Sequence, residues 1–360
     1  MNGPSRAILP RGLRFALIIV LAATSLSLTA CGLWYSILPY GLTHMDSTLN
    51  IHSLGGLFTI NENYLLETGR LDSRYGIIDV SDPENPVLAA AGGVTFGGSD
   101  AVFLKSGTKT YGYLADFGNL RVVDFTSLPA STTLLSTPIT TGVQRVDIAG
   151  SFLYVALDTG VRVFSLASPQ APSQVQSLNY TDGSTHVVMG AVASDSLFVV
   201  CSVRGSGPIL RPYTIGSTGT LTAVATTTNP DFMGGELAIK GDVVLAASGA
   251  DHLVPVDFAN PASPTWKDAV DPHDTKYDGD SSFGFSRMTI VNNYLVAYCT
   301  EYVDMAIFEI SNPRSPVFIF PTLSQDVDLL PAGAQDALCV RQPYIYLAMY
   351  NQYLHIFRMP

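Results

Sequence analysis

The stretch Ile77-Ile78-Asp79-Val80-Ser81-Asp82-Pro83-Glu84-Asn85-Pro86 joins an apolar run of strand type to a polar break and two prolines three residues apart. The phrase returns without gaps at Val163–Pro172, Pro255–Pro264 and Ile307–Pro316. A fifth copy, Val122–Pro129, carries a small insertion and one proline. Internal repetition of this kind decides the architecture before any local assignment. The alternating run Ile77 to Val80 suits a strand in a packed sheet. Asp82 bonds its own backbone in a turn, and Pro83 sets φ for it. Pro86 has no N–H, so the strand expected at Val87 to Ala90 belongs at an edge. Inner strand, turn and proline-led outer strand make the outer half of a propeller blade.

Asp79 and its counterparts Asp124, Ser165, Thr214, Asp257, Glu309 and Arg358 lie 45, 41, 49, 43, 52 and 49 residues apart. That is the period of a propeller unit. A second apolar run precedes each, as at Leu153-Tyr154-Val155-Ala156, and before it comes an inner strand, as at Val146-Asp147-Ile148. The expected fold is all-β: a seven-bladed β-propeller of four-stranded antiparallel blades. The seventh unit runs out at Leu354–Pro360, before an outer strand, and would leave an unpaired edge. The N-terminal segment is expected to close it, through Trp34–Leu38 or Thr48–Ile51. The expected plan is a signal peptide over 1–30, a tether and closing strand over 31–51, and the propeller over 52–360. Twenty residues of tether reach at most about 70 Å.

The chain has 360 residues, 14% of them charged and 47% hydrophobic, with a net charge of −11. Removing Arg6, Arg11 and Arg14 with the first thirty residues makes the remainder more acidic still. Such a body argues against a nucleic acid partner held through its phosphates. No amphipathic helical period stands out after residue 31.

Those three arginines precede an apolar run from Phe15 to Ala23, then Leu28-Thr29-Ala30-Cys31-Gly32. A positive start, a short apolar middle and small residues at the cut form a secretory signal. Leu28-Thr29-Ala30-Cys31 resembles the lipobox of bacterial lipoproteins. That resemblance implies acylation of Cys31 and membrane attachment through the N-terminal lipid. An ordinary secretory signal with an incidental cysteine is the other reading. Cys201, Cys299 and Cys339 remain, and an odd number cannot all pair. Cys299 and Cys339 fall in the last two repeats, as a disulfide or as buried thiols.

From Tyr75 to Val87, and again at Leu153–Ala156 with Gly160–Phe164, the sequence resembles the LVIVD repeat of bacterial and archaeal surface proteins. The likeness spans roughly residues 52–357. It is weakest in unit four, where Tyr213-Thr214-Ile215-Gly216 lacks the prolines. It implies a propeller outside the cytoplasm, at the cell surface or in the periplasm, and implies no activity. Oligomeric state is not legible.

Aligning the starts of the inner strands places Leu57, Asp100, Arg145, His186, Glu236, Arg287 and Ala337 at one level, with Asp336 beside the last. Charged residues of both signs around one mouth read as a funnel gripping a ligand, or as strand starts that simply meet solvent. Asp274, Asp278 and Asp280, in the loop Asp271–Ser281, offer carboxylates to Ca²⁺ without EF-hand spacing, or form a solvated loop. No catalytic signature and no other cofactor pattern appears. The sequence therefore points to a non-catalytic binding or scaffold module for a protein, peptide or glycan. The alternatives are an envelope hydrolase or lyase using Asp100, His186 and Glu236, and a structural assembly subunit. The enzyme reading requires those three side chains to share one pocket.

Overall fold

The computed structural model describes residues 43–45, 49, 56–68, 75–92, 98–116, 118–130, 132–137, 142–205, 207–229, 232–248, 252–270, 285, 287–299, 304–322, 337–348 and 354–359. The chain divides into a compact unit, His44–Arg358, and a second of Met1–Thr43 with Met359–Pro360, in which only Thr43 and Met359 are described. Cys31, Asp274, Asp278, Asp280 and Asp336 lie outside the described residues.

A short strand, β1 (Thr43–Met45), precedes the repeats. Blade one is β2 (Gly56–Thr59), β3 (Tyr64–Thr68), β4 (Tyr75–Asp79) and β5 (Val87–Gly92). Blade two is β6 (Gly98–Ser106), β7 (Lys109–Asp116), β8 (Asn119–Asp124) and β9 (Thr132–Thr137). Blade three is β10 (Val143–Ala149), β11 (Phe152–Leu157), β12 (Gly160–Ser165) and β13 (Ser173–Asn179). Blade four is β14 (Val187–Ala193), β15 (Leu197–Arg204), β16 (Gly207–Ile215) and β17 (Leu221–Ala223). Blade five is β18 (Leu237–Lys240), β19 (Val243–Ser248), β20 (His252–Asp257) and β21 (Thr265–Trp266). Blade six is β22 (Arg287–Val291), β23 (Tyr294–Cys299), β24 (Asp304–Glu309) and β25 (Val317–Thr322). Blade seven holds β26 (Ala337–Arg341), β27 (Tyr344–Ala348) and β28 (Leu354–Arg358).

Six sheets run in simple chain order, and the seventh runs β1-β28-β27-β26. The N-terminal segment thus closes the last blade, as the missing outer strand requires. The strand that does so is Thr43–Met45. Trp34–Leu38 lies outside the described residues, and Leu49, in the other stretch, instead accepts a hydrogen bond from Leu354 N at 3.2 Å.

The repeated phrase works as two turns in succession. Asp79 Oδ1 accepts from Ser81 N at 2.8 Å, and Asp82 Oδ1 accepts from Glu84 N at 3.2 Å. The first turn recurs at Asp124, Ser165, Asp257 and Glu309, the second at Asn260 and Asn312. The strand after the second proline is the outer one, as expected of a residue without an N–H. A bulge interrupts the pairing to it in blades one, two, three and six. Blade four lacks the phrase and turns tightly at Gly216–Thr220 into an outer strand of three residues.

Apolar side chains of neighbouring sheets interdigitate as wedges. One wedge packs Tyr113 and Val122 of blade two against Val146 and Leu153 of blade three. Another packs Leu57 and Ile78 of blade one against Tyr346 and Ile356 of blade seven, and so joins the two ends of the repeat array. Arg341 reinforces that seam by donating to Val80 O at 2.7 Å. Cys201 and Cys339 are buried free thiols, so the bridge between Cys299 and Cys339 is not formed.

Candidate functional site

The pairing register gives each blade the same address. The marker residues pair with Tyr64, Tyr111, Phe152, Leu197, Val243, Tyr294 and Tyr344. Four residues further along that strand, the innermost strand presents Gly56, Asp100, Arg145, Gly190, Arg287 and Ala337 in blades one, two, three, four, six and seven. In blade five the residue is Glu236, whose carbonyl accepts from Ala247 N at 2.9 Å. Asp100, Arg145, Glu236, Arg287 and Ala337 therefore occupy the level expected of them. Leu57 is one residue off, and the position belongs to Gly56. His186 is four residues off, and the position belongs to Gly190.

Bulges fall at this level in three consecutive blades, between Gly98 and Asp100, Val143 and Arg145, and Val188 and Gly190. A bulge re-aims the side chain beside it. The absent side chain of Gly190 also matters. A Cβ there would lie 2.8 Å from Leu237 N. Blade five thus approaches blade four closely at Gly190, and Arg145 Nη2 donates to Met189 O at 2.8 Å and stands 3.5 Å from Glu236 Oε2. In blade one, Gly56 makes room for the Phe58 ring, over which the Arg287 guanidinium sits at 5.9 Å.

Among the described residues, Asp100, Asp147 and Glu236 line a cavity here, and the first two bridge neighbouring blades. Asp100 Oδ1 accepts from Ala101 N at 3.0 Å, and its Oδ2 from Val146 N of the next blade at 2.9 Å. Asp147, which the sequence reading passed over, does the same two residues deeper. Its Oδ1 accepts from Ile148 N at 2.8 Å and its Oδ2 from Ala193 N of blade four at 2.7 Å. Burial pushes Asp100 up to about 6 against the pull of Arg145 and Arg287. Burial pushes Asp147 up to about 7 against its two N–H donors. An acidic residue between Val146 and Ile148 in an inner strand was the available signal. Phe58, Asp100, Asp147, Glu236, Arg287 and Cys339 are among the residues around a cavity of about 580 Å³.

His186 lies elsewhere. It is buried, lines a separate cavity, and its Nε2 sits 2.9 Å from Asp182 Oδ2. Asp100, His186 and Glu236 do not meet in one pocket, so the acid–base trio is not assembled. Among the described residues, no group of three or more His, Cys, Asp or Glu side chains is placed to hold a metal ion. What the channel mouth offers is alternating charge: Asp100 and Arg145, then Glu236 and Arg287.

The LVIVD repeat profile matches residues 234–271, which contain the four strands of blade five. No curated protein is significantly similar to the chain. Among solved structures, the β-propeller domain of Swd1 from Myceliophteria thermophila is 9% identical, covers 88% of this chain and 100% of its own, and has a TM-score of 0.63. A functionally unknown protein from Desulfotomaculum acetoxidans is 13% identical over 82% of this chain and 92% of its own, with a TM-score of 0.62. The WD40 β-propeller domain of Doa1 is 12% identical over 89% of this chain and 97% of its own, also at 0.62. At such identities the likeness is one of fold. A propeller carrying LVIVD repeats suggests a binding or scaffold module.

Proposed function

We propose that this LVIVD-repeat propeller is a lipid-anchored, extracytoplasmic binding module that holds its partner at the channel mouth and does no chemistry on it. Of protein, peptide and glycan, a polypeptide segment with charges of both signs fits best. The observation that carries this is the ring of Asp100, Arg145, Glu236 and Arg287 at one register level. Charges fixed in alternation recognise a complementary pattern and reject like charge, which confers specificity more than raw affinity. The enzyme alternative lacks its imidazole, and both Asp100 oxygens are already occupied by backbone N–H groups.

Attachment through Cys31 has a geometric consequence. Twelve residue steps separate Cys31 from Thr43, so the closing strand stands within about 43 Å of the acylated end. Partners would be captured close to the bilayer. Replacing Cys31→Ser is expected to move the protein from the membrane fraction to the soluble one. Persistence in the membrane fraction would count against the anchor.

The binding site is tested with residues 32–360 as bait in envelope extract, beside the double variant Arg145→Ala/Glu236→Ala with matched thermal stability. Capture of a mass-identified partner by the wild type alone is expected. Equal capture by both removes the channel mouth from consideration.

A further inference from the structure

The cavity of about 580 Å³ does not end at the charged ring. Its wall runs from Asp100, Glu236 and Arg287 down the inner strands to Phe58, Met288 and Asp147. These last three are half-buried and keep part of their surface open. Asp147 follows Arg145 by two residues in β10, and the pairing between them is regular. Two residues of strand put it about 6.5 Å below the ring.

The charges of the ring answer one another. Arg145 stands 3.5 Å from Glu236, and Asp100 lies in the field of both Arg145 and Arg287. Asp147 has no such answer. Among the described residues no basic side chain pairs with it, and the charged group that acts on it is Asp100, of its own sign. Its two oxygens accept from Ile148 N and Ala193 N, one each. A carboxylate offers about four lone-pair sites, so each oxygen keeps one for a further donor. Withdrawn from bulk water, a carboxylate without a counter-charge is costly, and a cation brought to it gains more than it would in solvent.

A group that reaches Asp147 from the mouth passes Phe58 and Met288, so it must be apolar along its stem and cationic at its tip. Lysine has that form, a flexible hydrocarbon stem ending in a compact ammonium with three donors. Extended, the stem is about as long as the drop from the ring to Asp147. The backbone that carries it stays at the level of the ring charges.

We propose that the channel reads a lysine: the segment held at the mouth lowers a lysine side chain past Phe58 and Met288 and sets its ammonium on Asp147. This rests on the channel-mouth reading and adds the residue type that the channel selects.

The test titrates residues 32–360 with the capped tripeptide alanyl-lysyl-alanine and with its norleucine counterpart, which keeps the stem and lacks the charge. It is run at pH 8, above the value of about 7 to which burial pushes Asp147. Aspartate carboxyl carbons are followed by NMR, with Asp147 assigned through its own backbone amide. A saturable shift of the Asp147 carboxyl is expected with the lysine peptide. The norleucine peptide should bind about tenfold or more weaker, the worth of a charge-assisted hydrogen bond, and Asp147→Asn should lose the lysine peptide by a similar factor. The peptide comparison uses the unaltered protein and decides even where that variant folds poorly. The proposal is overturned if the lysine peptide leaves Asp147 unmoved, if the norleucine peptide binds as well, or if a folded Asp147→Asn binds as the wild type does. In the capture from envelope extract, a partner lost by Arg145→Ala/Glu236→Ala but kept by Asp147→Asn refutes the lysine site and leaves the mouth standing. A partner kept by both variants refutes the mouth.

Discussion

The carboxylates of Asp100 and Asp147 are one device used twice. Each accepts the N–H of the next residue in its own strand and an N–H of the following blade, 46 residues on. They tie inner strands together where the channel would otherwise leave them facing a void. The ordinary value for both is 3.8, and in the fold they stand near 6 and 7. Between about pH 4 and 7 the folded protein therefore keeps protons that the unfolded chain has released. Their contribution favours folding at low pH and is lost as pH rises through that window. Asp147→Ala strips two N–H groups of their acceptor, at a cost of about 1–3 kcal/mol where the wild-type carboxyl is protonated. The stability gap between wild type and Asp147→Ala is expected to widen from pH 8 to pH 5 in urea denaturation. A gap that stays constant with pH would show that Asp147 titrates as it does in the unfolded chain. Asp100 was singled out from sequence because it begins a strand. Asp147 was not, because a lone polar residue inside an apolar strand looks like any solvent-facing one.

At the scale of strands and turns, the repeated phrase was fully readable. Asp79, Asp82 and their counterparts turn the chain through side-chain bonds to N–H groups two residues on, an interaction that needs no distant partner. The closing strand was readable as a need, since β28 lacked a neighbour, but its location was not. Thr43-His44-Met45 is only three residues long, with Thr43 alone among the strand-favouring types, and it is held by pairing. A chain begun at Ser47 in place of Gly32 removes it and exposes the β28 edge. Such a chain is expected to melt several degrees lower and to scatter light increasingly with concentration, since bare edges recruit other strands. An unchanged melt would mean that β1 contributes nothing to closure. Register was the weaker inference. Leu57 misses its level by one residue, and a slip of one moves a side chain to the opposite face of the strand. His186 misses by four, because the connection Tyr180–His186 folds back over the blade and the sequence does not reveal how many residues that takes.

Over the whole ring, stability comes from wedges shared by neighbouring sheets, with polar links across the seams. Tyr113 donates to Pro169 O at 2.9 Å and Tyr154 to Gly219 O at 3.0 Å, each reaching the outer turn of the next blade. Burial raises both phenols, Tyr154 up to about 12, so these links stay protonated at any physiological pH. The amino-acid sequence alone settled the blade, the number of blades and the need for a closing strand. Alternation, turn chemistry and repeat length are local properties, and each copy states them again. Which side chains meet was settled only in three dimensions. Arg145 finds Glu236 across 91 residues, where Gly190 lets blade five close on blade four, and His186 lines a different cavity. Bulges and loop lengths set those encounters, and their effect exists only once neighbouring blades are packed side by side.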